Sequence, residues 1–595
     1  MMQNSLRLRL IFVFAFAALA TYPSVHAESM DEMWGEQVAK LKASDGVRGQ
    51  LFEQGNYAMF IHWGLYSQIA NKYQGETYYG IGEWIMHPRM ADIPVEDYKT
   101  VARDFNPVHF DADAIAQLAV DAGMKYIVIT SKHHDGFAMY DSEVNDFNIV
   151  DATPYGRDPM KELAEACAKH GLGLGFYYSH NQDWTFPGGT RGPAITEGGE
   201  AADFTYYYEN KCRPQVEEIT TKYGPIEIVW FDTPGRIPKD YVEELVAIVR
   251  KNQPGALVSG RAGYGLGDYK SHGDMEVPHG NVDGLWETVD TTNDSWSYAW
   301  YDTNWKTPKQ IIERLVATVA RGGTYMLNIG PRGDGTVPVE AQLALRKSGE
   351  WIRRYPFVVY GTGASPWGHA LPWGDVTVKD NRLYLSVFNL PDERTIYLPG
   401  LKTELESVTL IDGGEKIPLP YSMVERWTRI QLPPKLKEAL VPVIEVELSA
   451  APEVDSTWGL DPSVETTLLV EFADVERARK SKKGWMEKFG EWKHVVRAHE
   501  WEKGGQAFWD VDVLEPGYYQ VALTYSGEGR LVWKVGVADG EAIQNEQNSS
   551  HNYQQFPIGW IEFPETGRYT IHVSCIEGDL EKASLKSVHF TKVDL

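Results

Sequence analysis

The sequence predicts an α/β protein, a (β/α)8-like barrel followed by a β-sandwich and a further C-terminal β-rich domain. Residues 56–360 alternate short β-branched or aromatic runs with longer helical stretches, the pattern of a parallel sheet with crossover helices. After Gly361 the strand-like runs follow one another without helices between them. The length of 595 residues also exceeds that of one ordinary domain, so several domains are expected.

Apolar runs predict seven strands of the barrel, and an eighth is placed near Val358. The seven are Ala58–Trp63, Tyr126–Ser131, Leu172–Ser179, Ile226–Asp232, Leu257–Gly260, Gly284–Thr288 and Tyr325–Gly330. The helices predicted between them include Asp111–Ala122, Pro159–His170, Tyr206–Lys222, Lys239–Asn252 and Thr307–Ala320. About eight such units favour a closed barrel over an open doubly wound sheet.

The N-terminus is typical of a secretory signal peptide at 1–27. Arg7 and Arg9 precede the apolar run Leu10–Ala20, and small residues surround Ala27. This run is shorter than the roughly 20 residues that cross a bilayer. We therefore expect export to the periplasm or the extracellular medium, without membrane insertion. The predicted domains are the barrel at 28–361, the sandwich at 362–450, a linker at 451–466 and the C-terminal domain at 467–595.

Turn residues such as Asp412-Gly413-Gly414 separate the strands predicted in the two β-domains. The sandwich strands are Asp375–Lys379, Arg382–Phe388, Thr395–Leu398, Glu406–Leu410, Arg429–Leu432 and Val443–Leu448. Those of the C-terminal domain are Gln506–Val513, Tyr518–Tyr525, Leu531–Val537, Gly559–Phe563 and Tyr569–Cys575. The basic segment Val475–Lys493 is predicted to be helical or irregular. The tryptophans of this domain are consistent with a hydrophobic core or with a glycan-binding surface.

Charge and composition narrow the class of protein. The chain has 57 Lys and Arg against 83 Asp and Glu, a formal charge of -26, which repels nucleic acid, so no such partner is expected. Hydrophobic residues at 43% and charged residues at 24% are typical of globular proteins. Cys167, Cys212 and Cys575 are too few and too widely spaced for a disulfide framework or a zinc motif.

Polar or aromatic residues end nearly every predicted barrel strand. In chain order they are His62-Trp63, His133-His134-Asp135, Tyr177–His180, Asp232, Arg261, Trp286-Glu287 and Asn328. Catalytic groups of such barrels lie at the carboxyl ends of the strands, on one face. These residues are therefore expected to form one site.

Asp232 follows the apolar run Ile226–Phe231, which is interrupted only by Glu227. This places a carboxylate at the mouth of a buried strand. One interpretation is a nucleophile that attacks a sugar carbon, provided that a second carboxyl protonates the leaving oxygen. The other is an N-cap of the following helix. The position at a strand end favours the nucleophile.

The histidines His62, His133 and His134 have three interpretations. Together with Asp135 they are residue types that bind zinc. They would also bind sugar hydroxyls, or lie in the core with backbone partners. The sugar interpretation agrees with the many aromatic residues available for stacking, and it needs no metal or cofactor; these residues are Trp63, Trp84, Tyr177, Trp184, Trp230 and Trp296.

Several motifs occur in the order found in the α-L-fucosidases of glycoside hydrolase family 29. They are Met59–Ser67, Glu83-Trp84, Lys132–Phe137, Gly175–Ser179 with Asp183-Trp184, Val229–Asp232, Trp286–Thr288 and Leu327–Pro331 with Gly333–Gly335. The chain resembles this family from about Asn56 to Thr362. The resemblance implies a retaining exo-hydrolase that needs no metal and acts on terminal α-L-fucose of a fucosylated glycan or fucoside.

The resemblance also implies a role for each matching residue. Asp232 would be the nucleophile that forms the glycosyl-enzyme intermediate. Glu83 would support the pocket, while Trp84 and Trp296 would line the side where the methyl group of fucose packs. The residues expected to hold fucose hydroxyls and to surround the nucleophile are His62, His133, His134, Tyr177 and Arg261.

The loop expected to carry the general acid/base departs from the family pattern. Gly267-Asp268-Tyr269 is not followed by the Pro-Glu pair that many members carry. Three carboxyls remain candidates, in the order Asp274, Glu287 and Glu276. A retaining mechanism places the acid/base about 5 to 5.5 Å from the nucleophile. The altered loop also leaves open a catalytically silent fucose-binding protein, and an α-L-galactosidase or an exo-hydrolase of sulfated fucans are alternatives on the same fold.

Overall fold

The computed structural model describes residues 55–438, 440–455, 457–488, 491–538 and 540–593, without the side chains of 486–488 and 491–492. The predicted signal peptide at 1–27 and the first residues of the predicted barrel domain, 28–54, lie outside these ranges. The α/β prediction is confirmed, because eight parallel strands form one curled sheet in the order β5-β4-β3-β2-β1-β8-β7-β6. These are β1 (Tyr57–Ile61), β2 (Tyr126–Lys132), β3 (Gly173–Tyr178), β4 (Ile228–Phe231), β5 (Leu257–Val258), β6 (Lys270–Ser271), β7 (Trp286–Thr291) and β8 (Thr324–Ile329).

A narrow contact joins the two edges of this sheet. Ser259 and Tyr269 form a parallel bridge just beyond β5 and just before β6. The Asp268 carboxylate supports the bridge by accepting a hydrogen bond from the Val258 amide at 2.8 Å and from Arg250 at 2.6 Å. The barrel is therefore completed by two very short strands.

Two strand predictions in the barrel are corrected. The two-residue strand β6 was not predicted, because Lys270-Ser271 forms no apolar run. The eighth strand expected near Val358 is instead part of a short helix, Pro356–Val359. Pro356 stands in the first turn of that helix, where its fixed backbone angle is compatible with helix formation and its missing amide proton costs nothing.

Six longer helices cover the outside of the barrel: α1 (Ala112–Ala122), α2 (Pro159–His170), α3 (Arg213–Thr221), α4 (Lys239–Asn252), α5 (Pro308–Val319) and α6 (Val339–Arg354). Helix α2 shows why they form where they do. Asp158 caps its N-terminus by accepting from the Met160 and Lys161 amides, and Gly171 ends it with a φ of 68°. No helix in the described part of the chain has the length and apolarity of a membrane span. Shorter helices are Leu65–Ile69, Val95–Thr100 and Phe204–Tyr207.

Two antiparallel sheets make up the domain that follows the barrel. Its strands are β9 (Gly374–Lys379), β10 (Arg382–Val387), β11 (Thr395–Pro399), β12 (Leu405–Asp412), β13 (Glu415–Pro418), β14 (Tyr421–Val424), β15 (Trp427–Gln431) and β16 (Val443–Leu448). One sheet has the order β9-β10-β16-β12-β13 and the other β11-β15-β14. Apolar residues of both sheets share one buried core.

The C-terminal domain is a second pair of sheets. Its strands are β17 (Trp458–Leu460), β18 (Thr466–Leu469), β19 (Asp474–Glu476), β20 (Arg479–Lys488), β21 (Glu491–His499), β22 (Gln506–Val513), β23 (Gly517–Ser526), β24 (Arg530–Val537), β25 (Ala542–Asn548), β26 (Gln554–Phe563), β27 (Gly567–Glu577) and β28 (Ser584–Val593). The prediction of a helical or irregular segment at Val475–Lys493 is wrong, because β20 and β21 form a long antiparallel hairpin there. The predicted linker at 451–466 contains β17, which pairs with β22. Strands that depend on cross-strand partners in this way need leave no strand signal in the local sequence.

The tryptophans of this domain divide between core and surface. Trp501, Trp509 and Trp533 are buried in its hydrophobic core. Trp560 is 58% exposed. Three of these rings therefore contribute to the packing of the domain.

Candidate active site

The side chains predicted from the strand ends converge at one end of the barrel. The ring centroid of His62 lies 5.5 Å from that of His133 and 5.2 Å from that of Trp296. His133 also stacks on Tyr177, with a centroid distance of 5.0 Å. All four side chains are buried. They meet because the carboxyl ends of parallel strands share one edge of the sheet.

Asp232 lies at the centre of this cluster. Its Oδ2 accepts a hydrogen bond from the Tyr177 hydroxyl at 2.9 Å and lies 3.7 Å from His134 Nε2, while its Oδ1 accepts from Arg261 Nη1 at 3.2 Å. Burial acts to raise the pKa of Asp232, but Arg261 and His134 more than offset this and lower the pKa below its ordinary value. The carboxylate is therefore ionised and oriented at neutral pH, as a nucleophile requires.

Arg261 joins Asp232 to a second carboxyl, that of Asp274. Its Nη2 contacts Asp274 Oδ1 and donates to the His272 carbonyl at 3.3 Å, and its guanidinium lies 4.8 Å above the Trp230 ring. Burial raises the pKa of Asp274, Arg261 opposes this, and the charge of Asp232 adds to the increase. The two carboxyls thus have pKa shifts of opposite sign, which is the arrangement that separates an acid from a nucleophile.

The three histidines are neutral hydrogen-bonding groups. Burial lowers the pKa of His62 to about 4 and that of His134 to about 3, and it lowers the pKa of His133 as well. His62 Nδ1 pairs with Asn328 Oδ1 at 2.8 Å, and His134 Nδ1 pairs with Ser179 Oγ at 2.6 Å. The buried His133 Nδ1 has no hydrogen-bond partner among the described residues. A ligand hydroxyl would satisfy it.

No three His, Cys, Asp or Glu side chains of the described ranges are arranged to hold a metal ion. The partners of His62 and His134 are instead an amide oxygen and a hydroxyl. The histidines therefore form a polar wall of the pocket.

Aromatic rings pack directly against these histidines. Trp84 contacts His134 at a centroid distance of 5.2 Å and Trp184 at 5.4 Å, and Trp296 contacts Phe60 at 6.4 Å. The sequence analysis named Trp84, Trp184 and Trp296 among the aromatic residues available for stacking and Asn328 among the strand ends of the site, but it assigned no role to Phe60. Asn328 lies one residue before the end of strand β8, as its place among the predicted strand ends implies.

Three further carboxyls of the prediction occupy different places. Glu83 lies buried in the short turn Gly82–Trp84, where burial and the charges of Asp274 and Asp232 raise its pKa to about 8. Glu287 is fully buried, and its Oε1 accepts from Trp230 Nε1 at 2.6 Å. Glu276 contacts His494 of the C-terminal domain.

Left-handed backbone angles recur in the loops that surround the site. Thr233, Tyr264, Met275 and Trp296 follow four successive strands and have φ values of 45°, 52°, 63° and 57°. For residues with a side chain such conformations cost about 1–3 kcal/mol each and persist only where neighbouring contacts hold them. The loops are therefore maintained by contacts outside their local sequence.

The sequence model of the α-L-fucosidase family matches residues 25–356, more than half of the chain. The chain belongs to the α-L-fucosidase family. It is therefore a glycoside hydrolase that releases fucose, and the resemblance inferred from the motifs is confirmed.

Similarity to individual fucosidases extends over most of the molecule. Tissue α-L-fucosidase of Rattus norvegicus is 27% identical over 385 residues, which cover 60% of this chain and 80% of the rat protein. Plasma α-L-fucosidase of Homo sapiens is 29% identical over 374 residues, 59% of this chain and 75% of the human protein. The α-L-fucosidase of Vibrio sp. strain EJY3 superposes with a TM-score of 0.77 at 28% identity over 94% of this chain and 99% of its own. Isoenzyme 1 of Paenibacillus thiaminolyticus has a TM-score of 0.60 at 31% identity, over 68% of this chain and 99% of its own.

Proposed function

We propose that this family member is a retaining exo-α-L-fucosidase that removes terminal α-L-fucose from glycans through a covalent glycosyl-enzyme intermediate. The observation that supports this most strongly is the contact of the Arg261 guanidinium with both Asp232 and Asp274. It brings two carboxyls with opposite pKa shifts to one small pocket, as a two-carboxyl glycosidase requires.

In the first step Asp232 Oδ attacks the anomeric carbon while Asp274 transfers its proton to the glycosidic oxygen. The carbon–oxygen bond to the leaving group breaks, and an ester bond to Asp232 forms. In the second step the Asp274 carboxylate takes a proton from water, which attacks the anomeric carbon and releases Asp232. Fucose leaves with the configuration of the substrate.

Asp274 is the acid/base in this proposal because its position suits proton transfer better than that of the other candidates. Its side chain retains 21% exposure beside the nucleophile, so a leaving group can reach it. Glu287 is fully buried and bonded to Trp230, and the carboxylate of Glu276 contacts His494. Asp274 also gains its raised pKa from burial and from Asp232, as a proton donor near neutrality requires.

The sugar would bind against the histidines and the tryptophans that pack beside them. His62, His133 and His134 offer neutral ring nitrogens to the fucose hydroxyls. Trp84 and Trp296 offer apolar surface to the ring and its methyl group. Glu83, protonated below its pKa of about 8, adds a hydrogen-bond donor to the same pocket.

The exported location is also part of the proposal. It rests on the residues at 1–27, which have the charged, apolar and small-residue regions of a signal peptide. The substrate would then be a fucosylated glycan met in the periplasm or outside the cell. Detection of the mature protein in the periplasmic or culture fraction, with a start near Glu28, is the expected result.

The stereochemistry of the product tests the mechanism. Wild-type enzyme is mixed with 4-nitrophenyl α-L-fucoside, and the first fucose released is followed by NMR. We expect the α-anomer first, and we expect Asp232→Ala to lower turnover at least about 10³-fold with an unchanged thermal midpoint. First release of the β-anomer would show inversion and would overturn the retaining mechanism. Fucose binding without any release by the wild type would instead identify a silent binding protein.

A further inference from the structure

The loop that carries Asp274 is held in a strained conformation by the barrel. Met275, the next residue, has a φ of 63°. Its amide donates to the Val289 carbonyl at 2.8 Å, and its carbonyl accepts from Arg314 Nη2 at 2.6 Å. Thr288 Oγ1 donates to the Glu276 carbonyl at 2.9 Å. These bonds fix the backbone on the barrel side but leave the side chain of Glu276 for another partner.

The C-terminal domain supplies that partner. His494 Nδ1 of strand β21 contacts Glu276 Oε1, and both side chains are about nine-tenths buried, at 10% and 9% exposure. A second contact lies a few residues further along the same loop, where His279 Nδ1 meets Glu471 Oε2 at 3.0 Å. The C-terminal domain therefore contacts the loop through two side-chain pairs, at Glu276 and at His279.

The hairpin β20–β21 is built to present His494 at this place. His494 pairs across the hairpin with Gly484, and β21 is joined to β28 through Ala498 and Leu585. Seven Lys or Arg but only two Glu lie between residues 479 and 499, in a chain whose net charge is -26. A positive hairpin against a loop that carries Asp274 and Glu276 is electrostatically favourable.

The positive charge of the hairpin also affects His272, two residues before Asp274. Burial and Lys270 lower the pKa of His272, and Lys482 and His494 contribute to the same decrease. His272 provides the carbonyl that Arg261 binds. The hairpin thus borders the segment that links Arg261 to Asp274.

We propose that the C-terminal domain is a positioning domain for catalysis, in which His494 holds Glu276 and so fixes the strained loop with Asp274 facing the leaving oxygen. This rests on the proposed function, since it takes Asp274 as the acid/base. In this proposal His494 acts on Asp274 through Glu276 and not by contact with the substrate. Its loss should impair protonation of the leaving group while leaving the nucleophile and sugar-binding residues in place.

The test compares two substrates that differ in their need for an acid. Methyl α-L-fucoside has an alcohol leaving group that must be protonated, whereas 4-nitrophenolate leaves with little assistance. In full-length His494→Leu we expect kcat/KM for the methyl fucoside to fall about 10-fold or more, and that for the nitrophenyl fucoside to fall less than about 3-fold, since general acid catalysis contributes about 10²–10⁴-fold. His494→Asn, whose amide nitrogen lies close to the position of Nδ1, should restore most of the loss.

His499→Leu is the matched control. His499 lies on the same strand but bonds within its own domain, to Ser481 Oγ at 2.7 Å. This variant should keep the wild-type ratio of the two kcat/KM values. If His494→Leu does not fold, as judged by its thermal midpoint, Glu276→Ala removes the same contact from the barrel side and should show the same substrate-dependent loss.

Parallel measurement of Asp274→Ala separates this proposal from the assignment beneath it. A selective loss on the methyl fucoside in Asp274→Ala, with equal losses or none on both substrates in His494→Leu and Glu276→Ala, would overturn the positioning role alone. An Asp274→Ala variant without selective loss would overturn the acid/base assignment itself. Selective loss in Asp274→Ala and in both contact variants supports the proposal.

Discussion

Replacing Glu287 with glutamine removes one titrating proton from the centre of the barrel and keeps the shape of the side chain. Glu287 Oε1 accepts hydrogen bonds from Trp230 Nε1 at 2.6 Å and from Ser271 Oγ at 2.5 Å. The amide oxygen of glutamine can accept both. The side chain is fully buried, and burial raises the pKa of Glu287 to about 7.

The folded wild type therefore retains a proton on Glu287 in the pH range where the unfolded chain has already lost it. That range extends from the ordinary glutamate pKa of 4.5 to about 7, and stability falls as pH rises through it. Each pKa unit corresponds to about 1.4 kcal/mol, so the wild type loses about 3 kcal/mol between pH 4.5 and pH 8 through this group. Glutamine has no proton to lose, so Glu287→Gln should not show this decrease.

Differential scanning calorimetry at pH 5 and pH 8 measures the effect. At each pH the free energy of unfolding of the wild-type barrel is subtracted from that of the variant. The value of this difference at pH 8 minus its value at pH 5 cancels the contributions of the other titrating groups. We expect a gain of about 2.5 kcal/mol for the variant, because the unfolded chain has already lost most of this proton at pH 5. This gain corresponds to several degrees in the thermal midpoint. An offset that is the same at both pH values would refute the argument. A selective loss of kcat/KM on methyl α-L-fucoside would also reassign Glu287 as the acid.

Three further results are expected. Asp183 is fully buried and pairs with Lys132 at 3.2 Å and Lys211 at 2.8 Å, so Asp183→Asn, which leaves two buried ammonium groups without their counter-ion, should lower the free energy of unfolding by about 3–5 kcal/mol in urea denaturation. Glu83→Gln should match the wild-type inhibition constant of fucose at pH 6, but the wild type should weaken as pH rises through about 8 while the variant does not. Incubation with EDTA should leave the rate on 4-nitrophenyl α-L-fucoside unchanged, and a rate that falls and returns with zinc would restore the metal interpretation of the histidines.

Much of the barrel and of the site is predictable because its signals are local. Apolar runs mark β1 to β4, and the residues at which those runs end meet automatically once the strands are parallel. His62, His133 and Asp232 could therefore be expected in one pocket. Strand β6 was not predicted because its two polar residues form no apolar run. The strand prediction near Val358 was wrong because an apolar segment that begins at a proline is as compatible with a helix as with a strand.

The C-terminal hairpin shows the other limit. Residues 479–499 alternate poorly and are rich in charge, so no local pattern distinguishes their strands from a basic helix. Their structure is decided by the partners they find across the hairpin and in β28. The sequence of one strand does not specify which other strand it pairs with, so this structure could not be predicted from the local pattern.

The sequence by itself determined the barrel, the family and the carboxylate at position 232, because periodicity and strand-end chemistry are properties of short segments. Tertiary structure alone decided which carboxyl shares Arg261 with Asp232 and which side chain meets Glu276. Those choices join residues tens to hundreds of positions apart, and they depend on how loops and whole domains pack. Asp274, Glu276 and Glu287 are alike as carboxyls in the sequence, and only their surroundings give them different pKa values and different partners.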